Sequence, residues 1–122
     1  MIQKAILILL LIPGVCFGEK ITKEDISGEW EFLGGSSEIT KDYSTLMIFT
    51  PSEIVYSPDG SYKYLREGKN TISGEWSYQN SLIIVKRKDG VFNNKIHSFE
   101  NGLLITYEEL FGQKRYMYLK KK

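Results

Sequence analysis

Apolar and polar positions alternate with a period of two over most of the chain beyond Gly28, and no run at helical period reaches useful length. β-branched and aromatic residues fill the alternating runs, and turn-forming residues separate them. The pattern predicts strands over 29–34, 44–50, 53–57, 61–66, 71–78, 82–87, 91–99, 103–109 and 114–120. Before the first of them, Thr22 followed by Asp25 predicts a helix start of one or two turns, with Thr22 as N-cap and Gly28 ending the segment.

The turn chemistry favours hairpins. Ser57-Pro58-Asp59-Gly60 combines a proline that presets φ, an aspartate and a closing glycine. Asp89-Gly90 and Asn101-Gly102 are two-residue hairpin signals. Glu67-Gly68, Gln79-Asn80 and Phe111-Gly112 mark softer turns. Gly34 to Lys41 reads as the longest loop, and Pro51, which cannot donate to a ladder, marks an edge, bulge or corner. Short loops make consecutive strands antiparallel neighbours, and a meander this long removes its edges by closing on itself. The expected fold is therefore all-β: an antiparallel up-and-down meander of eight or nine short strands closing into a small barrel, preceded by a short helical turn. A two-sheet sandwich needs longer crossovers than this spacing provides.

One run occurs twice: Ile26-Ser27-Gly28-Glu29-Trp30 and Ile72-Ser73-Gly74-Glu75-Trp76. Beside an inward tryptophan, a glycine lets a neighbouring backbone approach or lets the strand bend, and the indole fills the space beneath. The residues after each copy differ, so two strand starts with one packing need explain the repeat better than a duplicated architecture does. If both tryptophans point inward, Glu29 and Glu75 point outward.

The first 18 residues read as an export signal. Lys4 supplies the basic start, Ala5 to Ile12 the apolar run, Pro13-Gly14 the break, and Gly18 a small residue before cleavage. The run is shorter than the ~20 residues a membrane span requires. Cys16 admits a second reading, a lipoprotein acylated at that cysteine, although Pro13, Gly14 and Val15 fit such a site poorly. Membrane contact is expected only if Cys16 is lipidated. The folded part, 19–122, is one domain with no cysteine, so its core carries the stability without disulfides. The chain has 16 basic and 15 acidic residues, and removal of Lys4 balances them, which gives no electrostatic argument for nucleic acid. The lysines at 120–122 read as a frayed tail.

Gly28-Glu29-Trp30, at the first strand just after a capped turn, resembles the Gly-x-Trp motif that opens lipocalins and related calycin barrels. Asp59-Gly60-Ser61-Tyr62, then Ser73-Gly74-Glu75-Trp76, then Asn80-Ser81-Leu82-Ile83 resemble the recurring pattern of small bacterial lipocalin-like domains. The resemblance implies a β-barrel in which Gly28, Trp30 and Gly74 are structural and a late basic residue, here Arg115, covers the opening Trp30. The chain departs from the family in ending on a strand rather than a helix, and in having no disulfide.

Chemistry-bearing groups are sparse. His97 is the one histidine, too little for the usual metal site without cysteine or several carboxylates, and too little for a nucleophile, base and orienter together. The acidic pairs Glu24/Asp25, Glu29/Glu31 and Glu108/Glu109 read as solvated faces. No glycine-rich phosphate loop follows a strand. Neither catalysis nor a cofactor or metal is therefore expected.

The remaining feature is aromatic content. Tyr62 and Tyr64 share a face, as do Tyr116 and Tyr118, and Trp76 shares one with Ile72 and Tyr78. Such rings either fill a narrow lumen or line an apolar cup with hydroxyl handles. With the cup reading, Trp76, Tyr78, Tyr62, Tyr64 and Phe49 are the expected ligand-binding residues. The function expected is a non-catalytic, exported binding protein, monomeric, periplasmic or secreted, for a small apolar ligand. The alternative is an envelope interaction module, an inhibitor or toxin-immunity protein, working through the loops Gly34–Lys41 and Phe111–Gly112.

Overall fold

A computed structural model describes residues 20–47 and 51–122. The stretch expected to be an export signal, with Cys16, and Phe49 lie outside the described residues. A short helix α1 (Lys23–Ile26) precedes eight strands: β1 (Gly28–Ser36), β2 (Ser52–Tyr56), β3 (Ser61–Arg66), β4 (Lys69–Gln79), β5 (Leu82–Arg87), β6 (Gly90–Glu100), β7 (Leu103–Leu110) and β8 (Gln113–Lys121). Each strand pairs antiparallel with the next, and β8 pairs back onto β1, so the meander closes into a barrel with no free edge. That closing pair excludes the sandwich.

The turns follow the chemistry of left-handed backbone. Asn101-Gly102, Glu67-Gly68 and Phe111-Gly112 each place two successive residues at positive φ, the condition for tight hairpins matching strand twist. Two turns sit one residue away from their expected positions: Asn80-Ser81 rather than Gln79-Asn80, and Lys88-Asp89 with Gly90 already in β6. In the β2–β3 turn, Asp59 accepts from the backbone and hydroxyl of Ser61 at 2.9 and 2.8 Å.

The segment 44–50 does not open as the expected strand. Tyr43–Thr45 forms a 3-10 turn because the Asp42 carboxylate accepts from Ser44 N–H and Oγ, a local bond that competes with strand pairing. Met47 then makes a single bridge to Gly35. The loop lies against the outside of the β8–β1 seam, where Leu46, Ile105 and Tyr118 form a second small core. The Tyr118 hydroxyl accepts from Thr40 N–H at 2.9 Å, tying the loop down.

The main core fills much of the lumen. Trp30, Ile54, Tyr56, Tyr62, Trp76, Ile83, Val85, Leu104 and Leu119 point inward from successive strands, and Ile26 of α1 joins them. The register shifts at three places, between Phe32 and Gly34, at Tyr64–Leu65, and between Ile96 and Ser98. The extra residue at the last of these is His97, exposed on the outer side with its ring edge-on to Tyr116 at 5.8 Å.

The two copies of the repeated run use their glycines differently. Gly28 has φ +137°, a conformation side-chain-bearing residues avoid. Gly74 has ordinary backbone angles, but a Cβ on it would lie 2.2 Å from the carbonyl oxygen of Lys86. Close approach of two backbones is thus the need at Gly74, and backbone conformation is the need at Gly28. Glu29 and Glu75 are both exposed, as alternation requires.

Candidate ligand-binding site

One end of the barrel is plugged. Thr22 caps α1 in a capping box with Asp25, and the helix presses the fully buried Ile26 into the lumen. The Trp30 indole N–H donates to the Ile26 carbonyl at 2.8 Å, and the Tyr78 hydroxyl donates to the Ile21 carbonyl at 2.7 Å. Trp76 donates to the Ser57 carbonyl at 2.7 Å. Each indole also lies beneath an ammonium: Lys121 is 5.1 Å from the Trp30 ring and Lys23 is 5.2 Å from that of Trp76.

Lys121, not Arg115, is therefore the basic residue over Trp30. The register decides this: Trp30 is opposite Lys121, whereas Arg115 lies six residues earlier, opposite Glu108 and exposed. At ~3.3 Å per residue the two positions are ~20 Å apart along the strand. Lys121 also donates to the Asp25 carbonyl at 3.0 Å, and Lys122 pairs with Glu53 at 2.5 Å. The terminal lysines are thus part of the plug and wall, not a frayed tail.

The other end opens into a cup of about 240 Å³. Tyr62 and Tyr64 stand in its wall with Phe32 and Phe92, and Ile54, Val85 and Met117 complete the apolar lining. Of the residues expected to bind ligand, Tyr62 and Tyr64 are therefore at the cup. Trp76 and Tyr78 belong to the plugged end, where their polar atoms are taken by backbone carbonyls. The lumen is filled at one end and open at the other, so the filled and cup readings each describe half of the barrel.

Three polar side chains also line the cup: Arg87, Asn94 and Glu108. The expectation from sequence missed them. The available signal was parity, since each falls on the apolar-facing register of its strand. Arg87 donates through Nε and Nη2 to the two carboxylate oxygens of Asp89, at 2.9 and 2.5 Å, and its guanidinium lies 4.2 Å from the Phe92 ring centre. The pair holds the Asp89 carboxyl below the usual carboxylate range. In the row Tyr62–Gly74–Arg87 across β3, β4 and β5, the middle position has no side chain. Arg87 reaches the Tyr62 hydroxyl there and opposes the upward push that burial exerts on that phenol.

At the inner side of the cup, Tyr56 packs at a tilt against Trp76 and Tyr62 with ring centres 5.1 and 5.8 Å away. Burial pushes the Tyr56 phenol far above its ordinary value of 10.0. The folded protein therefore keeps this proton after the unfolded chain has lost it. The associated stability is complete below pH ~10 and falls above it by ~1.4 kcal/mol per pH unit for each such group. Urea unfolding between pH 8 and 11 should show this loss, and Tyr56→Phe should flatten it by about one proton. An unchanged slope in the variant would contradict the assignment.

Among the described residues, no three His, Cys, Asp or Glu side chains gather in an arrangement for a metal ion. The fold and cup together define a small, closed, eight-stranded antiparallel barrel with one plugged and one open end. Comparison with protein-family models, with curated proteins and with solved structures finds no match.

Proposed function

We propose that this protein is an exported, non-catalytic, lipocalin-like binding protein that takes a small, mainly apolar ligand into the open end of its barrel. The observation that carries the reading is the cup itself: a half-open, largely aromatic cavity at one end of a lumen that is otherwise filled. Drug-sized ligand sites run ~300–1,000 Å³, so a cup of about 240 Å³ suits a single ring or a short chain. The first 18 residues support export, and the Gly-x-Trp motifs support the lipocalin-like reading. His97 lies on the outer side, away from the cup, which supports a binding role over a hydrolytic one.

Titration of ¹⁵N-labelled protein with propylbenzene tests the proposal. Amide shifts in Val85, Phe92 and Asn94 should saturate, while those of α1 and Tyr78 stay still. Absence of saturable shifts at the solubility limit of the probe would sink the cup reading.

A second reading has its own observation. Phe111, at the tip of the β7–β8 hairpin, is fully exposed and has φ 53°. Neither feature helps the fold, since asparagine or glycine suits that turn position better. An exposed aromatic there supports a protein-interaction module docking through this hairpin. It gains ground if the cup proves empty of affinity.

A further inference from the structure

We infer that the ligand of this cup carries a protonated amine, held by Glu108 and Asn94, on a small aromatic or alkyl body. The inference rests on the binding-cup reading above and concerns what the cup selects. Asn94 of β6 and Glu108 of β7 stand on neighbouring strands and line the same cavity. Lys95–Tyr107 is the last pair of that ladder, and Asn94 and Glu108 are the residues one step beyond it along each strand. Both line the cavity, whereas their neighbours Asn93, Lys95 and Glu109 are exposed.

The charges at the cup are unequal in their commitments. Arg87 is engaged by both oxygens of Asp89 and by the face of Phe92. Glu108 has no ion pair among the described residues, although Arg115 stands opposite it in the register with an exposed side chain. The uncompensated charge in the cup is therefore negative.

Asn94 adds an independent observation. It is only 6% exposed and lines the cavity, and its side-chain amide has no hydrogen-bond partner among the described residues. The amide atoms are not sealed off like the Thr106 hydroxyl, so they face the open cavity and are free to bond whatever occupies it. Two residues before Glu108 on the same face, the fully buried Thr106 hydroxyl also lacks a partner.

An ammonium has three donors and no acceptor. The Glu108 carboxylate and the Asn94 carbonyl oxygen accept such donors, and the surrounding ring faces favour a cation as well. A carboxylate ligand would meet Glu108 as a like charge and an arginine whose charge Asp89 already offsets. A neutral ligand would leave Asn94 unpaired.

The test compares three probes of similar size at pH 7: 2-phenylethylamine, propylbenzene and 3-phenylpropionate. Affinities come from calorimetry or amide shifts on the intact folded domain. The amine should bind roughly tenfold or more tighter than propylbenzene, as expected for a hydrogen-bonded charge. Glu108→Gln should erase that advantage, so that the amine and propylbenzene bind the variant with similar affinity, with Glu108→Asp retaining part of it. Glu108 is half-buried and belongs to neither core cluster, so the substitutions leave the core intact, and a thermal melt checks this. Equal affinity for amine and propylbenzene, tighter binding of 3-phenylpropionate, or an amine advantage that survives Glu108→Gln each overturns the amine assignment and leaves the cup standing. Saturation by none of the three overturns the cup and the amine together.

Discussion

Replacing Gly74 by alanine should destabilise the barrel by ~3 kcal/mol or more, the upper end for overpacking a rigid site. The added Cβ would sit 2.2 Å from the Lys86 carbonyl oxygen. The obstacle is backbone on a paired strand, so no rotamer change relieves it. For a domain of about this size, that loss lowers the Tm by roughly 10–20 °C. The same glycine is the empty position between Tyr62 and Arg87, so the variant should also disturb the wall of the cup. Thermal melts of Gly74→Ala beside Ser73→Ala, an exposed neighbour, would decide the point. A drop in Tm no larger than that of Ser73→Ala would show that β4 and β5 separate easily, and the account of the repeated run would fail.

Trp30→Ala should cost about as much, ~3–5 kcal/mol, against a total stability of ~5–15 kcal/mol for a domain. Trp30 is fully buried, meets Phe99 edge-on at 6.0 Å, and donates its indole N–H to the Ile26 carbonyl. Its loss leaves a cavity and an unpaired carbonyl at the joint between α1 and the barrel. The expected consequence is therefore local as well as global: urea unfolding shifts to lower denaturant, and amide exchange in residues 20–27 becomes fast. Trp30→Phe should recover part of the packing but not the hydrogen bond. If exchange in α1 stayed slow in Trp30→Ala, the anchoring role assigned to the indole would be wrong.

Export, the absence of catalysis and the choice of ligand are proposals of a different kind from these two. The stability predictions rest on contacts within the folded domain, and a failed ligand titration would leave them unaffected. Conversely, Glu108 and Asn94 belong to the cup and contribute little to the plug, so binding and folding can be perturbed separately.

Much of the architecture is legible in the chain itself. Period-two alternation, Asn101-Gly102, Pro58-Asp59-Gly60 and Glu67-Gly68 suffice to specify an antiparallel meander, because side-chain parity and turn backbone are local properties. Thr22 and Asp25 announce the capped turn for the same reason. The inward direction of Trp30 and Trp76 follows from their alternation with exposed glutamates. Where a side-chain bond competed with pairing, at Asp42 and Ser44, local alternation misled, and a 3-10 turn replaced the start of a strand.

Only the tertiary structure decided which end of the lumen is filled. Trp76 and Tyr78 lie on the same apolar face as Ile72, and nothing in their spacing says that α1 folds back to take the Tyr78 hydroxyl. Lys121 rather than Arg115 covers Trp30 because the register across the closing seam, fixed by contacts between the first and last strands, sets which residues meet. The polar corner of the cup has the same origin. Arg87, Asn94 and Glu108 come from three strands, and barrel closure rather than sequence distance brings them to one cavity. Strand parity tells which side a residue faces; shear and closure of the sheet tell what it faces.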